Sequence, residues 1–174
     1  MKSIYQIKIT LKGIKPPIWR RVEVHSDILL IHFSHLVLNV MGWYSSHLFS
    51  LEFDREEYFS DKETAEECGG HSMGNKKLNA FLTEPKEKGL LTYDFGDNWE
   101  HEILLEKILA PEPGGKYPNL IAGKRNCPPE DCGGIWGYYH LLEVMKDPKH
   151  PEYEDMMEWL GEEYDPEAWS LESL

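Results

Sequence analysis

The sequence predicts an α+β domain with a mainly antiparallel, roll-like sheet made of hairpins, into which helices are inserted and which two helices close at the C-terminal end. Three observations predict it. Residues 5–11 and 18–24 alternate apolar and polar with a turn between them, the period of strands with one buried face. A second pair of alternating runs brackets Gly96–Asn98. Helical spacing of apolar residues occurs between or after these hairpins rather than after every strand, which argues against a doubly wound parallel sheet.

In order along the chain, Tyr5, Ile7, Ile9 and Leu11 share one face of the first strand. After a turn at residues 13–17, Ile18, Arg20, Val22 and Val24 share one face of the second, with Trp19 and Arg21 on the other. Leu29, Phe33, Leu36, Val37 and Val40 follow helical spacing, so a helix is predicted over 28–41, capped by Ser26 or Asp27 and stopped at Gly42. Alternation resumes in His47, Phe49, Leu51 and Phe53, giving a third strand with His47 on its aromatic face. Residues 54–76 are charged and without a sustained period, which reads as an exposed excursion with one helical turn near 62–67. A short helix at 78–82 leads to a strand at 90–95, then to a long strand carrying Trp99, His101, Ile103 and Leu105 on one side. Five prolines and five glycines between Pro111 and Gly134 make that stretch mostly loop, with a brief strand at 120–122. Helices at about 135–146 and 152–160 end the chain.

Composition bounds the class. A chain of 174 residues, 41% hydrophobic and 12% aromatic, fits one domain over 1–174 with material for one core, which excludes general disorder. The opening MKSIYQIKIT alternates, and no stretch approaches the roughly 18 apolar residues of a membrane span. Three cysteines cannot form a paired secreted framework without one left over. The expectation is a cytoplasmic protein with reduced thiols and no membrane contact. Of the net charge of −13, residues 1–50 carry +4, which leaves −17 on the other 124 residues. That field repels phosphates and argues against nucleic acid as a partner.

Four segments carry a family resemblance: Pro16-Pro17-Ile18-Trp19-Arg20-Arg21; Met41-Gly42-Trp43 with His47-Leu48-Phe49; Tyr93-Asp94-Phe95-Gly96-Asp97-Asn98-Trp99-Glu100-His101; and Cys127-Pro128-Pro129-Glu130-Asp131-Cys132-Gly133-Gly134 followed by Gly137-Tyr138. In order and spacing they resemble the Ri-plasmid open-reading-frame-three-like (plasmid Orf-3-like) family. The resemblance implies a compact α+β roll-like domain, found alone or fused to others, whose members have been loosely labelled resolvases or repressors. It implies no catalytic residue set. The chain itself shows no separate helix-turn-helix, no basic recognition helix and no arginine cluster around a nucleophilic serine.

Several residue groups suit chemistry, and each has a structural reading beside it. Asp94, Asp97 and His101 around a tight hairpin suit a divalent cation or acid–base work, or else an Asx-type turn with His101 packed on Trp99. Glu130-Asp131, between two prolines and two glycines, can present fixed carboxylates, while Asp131 can also cap the following helix. Cys68 and His71 with Cys127 and Cys132 supply a Cys3His set for a structural zinc that would staple the 54–76 excursion to the 111–134 loop; the alternative is three unrelated thiols and a surface histidine. Trp19, Trp43, Trp99 and Trp136 suit a groove or a core, and Trp19 with Arg21 suits an exposed recognition face or one that a helix covers. His32 and His35 lack a nearby carboxylate and read as helix-surface residues. The common phosphate-loop, dinucleotide, serine-hydrolase and zinc-protease motifs do not occur.

The leading functional expectation is a binding or interaction module for a protein or small-molecule ligand, with a polar, aromatic-lined cleft formed by Trp43, His47, Asp94, Asp97, Trp99, His101, Glu130 and Asp131. A rival is a metal-dependent hydrolase or nuclease using Asp94, Asp97, His101, Glu130 and Asp131. A third is a DNA-associated regulator using Arg20 and Arg21. The first two require the Asp94–Asn98 turn and the Pro128–Asp131 loop to meet.

Overall fold

The computed structural model describes residues 3–161 and 164–171. The protein is α+β. Its strands are β1 (Ile4–Leu11), β2 (Trp19–His25), β3 (Phe49–Phe53), β4 (Glu56–Phe59), β5 (His71–Ser72), β6 (Lys88–Tyr93), β7 (Trp99–Leu109) and β8 (Asn119–Lys124). The helices are α1 (Leu30–Met41), α2 (Lys62–Cys68), α3 (Gly134–Lys146) and α4 (Tyr153–Leu160). One sheet holds the strands in the order β5-β4-β3-β6-β7-β1-β2-β8. Every pairing is antiparallel except β4 with β5. Among the described residues no helix is long and apolar enough to cross a membrane.

The alternation read from the sequence is the burial pattern. Tyr5, Ile7, Ile9 and Leu11 of β1, and Trp99, His101, Ile103 and Leu105 of β7, all point into the core. Helix α1 closes that face with Leu30, Phe33, Val37, Leu38 and Met41. Arg20 follows the same register inward and is 2% exposed. Its guanidinium is satisfied by backbone carbonyls: Nε donates to Val40 at 2.8 Å, and Nη1 donates to Trp19 at 2.9 Å and Arg125 at 2.9 Å. Burial lowers its pKa. On the opposite sheet face Trp19 lies between Lys8 and Arg21, 5.2 and 5.1 Å from the ring centroid, and Arg21 is bidentate to Glu106 at 2.6 and 2.8 Å. Of the two arginines offered for DNA contact, Arg20 is thus buried and Arg21 is paired with Glu106.

Three differences from expectation have identifiable reasons. Helix α1 starts two residues late because Leu29 stays extended and bridges Lys77, while the Leu30 N–H donates to the Lys76 carbonyl at 2.9 Å. The neighbouring backbone does what a Ser26 or Asp27 cap was expected to do, and Ser26 Oγ instead accepts from Ser3 Oγ at 3.0 Å. Strand β6 ends at Tyr93 because Asp94 adopts φ +54 and leaves the ladder. The 54–76 segment is ordered into β4, α2 and β5, with Phe59, Ala65 and Met73 as its buried anchors and Asp61 capping α2 by accepting from the Thr64 N–H at 2.8 Å.

Candidate functional site

The site forms where the β6–β7 turn, the 42–48 segment and the 126–133 loop meet. Trp43 is the pin. It is 3% exposed, stacks on Tyr93 at 5.3 Å, tilts against Trp99 at 5.6 Å, meets His101 edge-on at 5.1 Å, and donates its indole N–H to the Pro128 carbonyl at 2.9 Å. One side chain therefore joins the hairpin core to the proline loop.

The loop is fastened at two further points. The Tyr93 hydroxyl, at the end of β6, donates to Glu130 Oε1, which also accepts from the Tyr44 N–H at 3.2 Å. Burial, then the bond to the Glu130 carboxylate, raises the Tyr93 pKa. The Asp97 carboxylate in the hairpin turn accepts from the Gly133 N–H at 3.1 Å, at the N-cap of α3. The expected capping by Asp131 is thus performed by Asp97, across the junction, where a carboxylate suits the positive end of the helix. Close approach makes two glycines necessary. A Cβ on Gly134, at φ +66, would lie 2.5 Å from the Asp97 carbonyl oxygen, and one on Gly137 would overlap the Cys132 carbonyl.

With those fasteners in place, His47, Asp94 and Asp131 converge. His47 Nε2 lies 2.9 Å from Asp131 Oδ1 and 3.8 Å from Asp94 Oδ2. One donor atom from each residue lies within 4.8 Å of the others. The Asp94 carboxylate is oriented by its other oxygen, which accepts from the Gly96 N–H at 2.9 Å, and the His47 ring is held edge-on against Tyr93 at 5.7 Å. His47 itself lies in the loop before β3 rather than in the strand expected for it. Both aspartates hold left-handed backbone, φ +54 at Asp94 and φ +58 at Asp131, which directs their side chains off the regular elements.

Of the eight residues expected to line a cleft, His47, Asp94 and Asp131 come together, Glu130 fastens the proline loop to Tyr93, and Trp43 is buried against Tyr93. Asp97 joins the turn to the loop. Trp99 and His101 belong to the core, 1% and 0% exposed. His101 Nδ1 lies 3.2 Å from the Leu91 carbonyl, its Nε2 has no partner, and burial pushes its pKa down to about 4. The five-residue hydrolase set therefore does not converge: His101 is a neutral core residue and Asp97 a helix cap. Sequence reasoning missed Tyr93 as a site residue, although its inward register beside Asp94 and opposite Phe49 was readable.

The Cys3His zinc set is not brought together either. Cys68 and His71 belong to α2 and β5 at one edge of the sheet, and His71 Nε2 lies 3.0 Å from Glu56. Cys127 packs against Arg20 of β2, toward the opposite edge. Burial pushes the Cys127 and Cys132 thiols up to about 12, with Asp97 adding to the effect at Cys132.

The surface near the site is less polar than the His47–Asp94–Asp131 group. Seven large apolar residues are exposed among the described residues, and three of them, Tyr44, Leu48 and Phe95, come from the segments that build the site, while Trp136 lies in the first turn of α3. Tyr44 and Trp136 are each 87% exposed.

Comparison with known proteins agrees with the fold. Residues 3–173 match the family described as plasmid pRiA4b ORF-3-like protein. The chain is 33% identical to the "uncharacterized protein y4hQ" of Sinorhizobium fredii (strain NBRC 101917 / NGR234) over 177 residues, spanning 99% of this chain and 89% of the relative. It is 37% identical to the protein of unknown function MM3350 from Methanosarcina mazei Go1, whose crystal structure matches with a TM-score of 0.90 and covers 100% of this chain and 98% of that one.

Proposed function

The chain belongs to the plasmid pRiA4b ORF-3-like family, and on that footing we propose that it is a binding module whose cleft takes a positively charged ligand on its floor and an apolar group on its rim. The observation that carries this reading is the meeting of Asp94 and Asp131, from two distant segments, around His47. Asp97 and Glu130 add two more carboxylates, and His47 is the one basic side chain in the group. The floor thus attracts cations and repels phosphates and carboxylates. Tyr44, Leu48 and Phe95, exposed in the segments that carry His47 and Asp94, supply apolar area beside it. Nucleic acid and membrane are not partners in this proposal. The cytoplasm is its compartment, supported by three unpaired thiols, two of them at least half removed from solvent.

A short peptide with an arginine beside a leucine is the probe. Titrated against isotope-labelled protein, it is expected to shift the amide resonances of residues 44–48, 94–98 and 130–136. Asp94→Asn and Asp131→Asn are each expected to weaken binding about tenfold, or ~1.4 kcal/mol. Shifts confined to other faces, or affinity unchanged in both variants, would overturn the reading.

A further inference from the structure

We propose that His47, Asp94 and Asp131 form a site for one divalent first-row transition metal ion. This rests on the cation-binding reading above and names the cation. The geometry of Nε2 carries it. This atom is shut off from solvent and makes no hydrogen bond, although Asp131 Oδ1 is 2.9 Å away. The oxygen therefore lies off the ring N–H axis. A hydrogen bond wants donor, proton and acceptor nearly in line. Two ligands of one metal are arranged otherwise: they subtend roughly 90–110° at the ion, so each sits to the side of the other's lone-pair axis. At metal–ligand bonds of about 2.1 Å, such ligands lie roughly 3.0–3.4 Å apart. The observed 2.9 and 3.8 Å bracket that spacing.

The surroundings fit the same assignment. With its other oxygen on the Gly96 N–H, Asp94 presents Oδ2 toward His47. Asp131 is 65% exposed, so its carboxylate can close the last few tenths of an ångström. One imidazole with two carboxylates is a borderline-to-hard donor set, which suits Mn²⁺, Fe²⁺ or Zn²⁺ better than the all-oxygen shells of Ca²⁺ and Mg²⁺. Three protein ligands, one of them on the solvent-exposed Asp131, leave positions for water or for a donor group of the bound partner.

Chelator-treated protein titrated with Mn²⁺ and with Zn²⁺, followed by calorimetry and by the loss of free Mn²⁺ spin-resonance signal, tests the assignment. The expected result is one ion per chain, with affinity lowered on the order of tenfold or more by His47→Ala and by Asp131→Asn. Asp131 is exposed enough for its variant to keep the wild-type melting temperature in chelator, and that melt verifies folding. No metal binding, or binding equal in wild type and both variants, would overturn the site. Retention of Asp94- and Asp131-dependent binding of the arginine peptide without metal binding would overturn the metal assignment alone. Loss of both would overturn the cation-binding reading as well.

Discussion

Trp43→Ala is expected to destabilise the protein by about 3–5 kcal/mol, the range for removing a large buried aromatic. Two losses add in the same direction. The ring's packing against Tyr93, Trp99 and His101 disappears, leaving a cavity among side chains that cannot collapse into it. The Pro128 carbonyl also loses the indole N–H that satisfies it. Trp43→Phe separates the two. It keeps most of the packing and loses the hydrogen bond, so it should cost about 1–2 kcal/mol. Urea unfolding of the three proteins at neutral pH measures both values. An alanine variant within 1 kcal/mol of wild type would mean that the proline loop is held without this residue.

His101 should make stability fall with acid in a window that ordinary histidines do not produce. Its folded pKa lies at about 4 because burial disfavours the imidazolium, against an ordinary value of 6.5 in the unfolded chain. Between those values the unfolded state binds a proton that the folded state refuses. The contribution is therefore present in full above about pH 6.5 and is lost progressively as pH falls to about 4. The difference corresponds to about 3 kcal/mol. His101→Gln does not titrate and keeps a donor for the Leu91 carbonyl. Between pH 7.5 and 4, wild type should lose about 3 kcal/mol more than this variant in urea unfolding. Equal losses would show that His101 is protonated in the native protein.

Particular residues show why the fold was more legible in the sequence than the site. Alternation in Tyr5–Leu11 and Trp99–Leu105 reports burial directly, because one-sided burial imposes a period of two on the strand. Gly42 marks the end of α1 at φ +100 for an equally local reason. The 54–76 segment was opaque because its elements are short and only Phe59, Ala65 and Met73 anchor them. The site lay between these cases. Motif composition singled out Asp94, Glu130 and Asp131, and the functional readings required their two segments to meet. It could not separate Asp97 and His101 from them, because capping across the junction and burial beneath Trp43 are properties of the tertiary arrangement. Nor could spacing reveal that Cys68 and Cys127 lie toward opposite edges of an eight-stranded sheet.

The most direct test of a single cleft is a double-mutant cycle with Asp94→Asn, Asp131→Asn and the combined variant, reading the affinity of the arginine–leucine peptide by calorimetry. Groups that touch one ligand and each other's field are coupled, whereas independent sites add. A coupling energy above about 0.5 kcal/mol is the predicted result. Strict additivity of the two substitutions would contradict the account, placing the hairpin turn and the proline loop in separate roles.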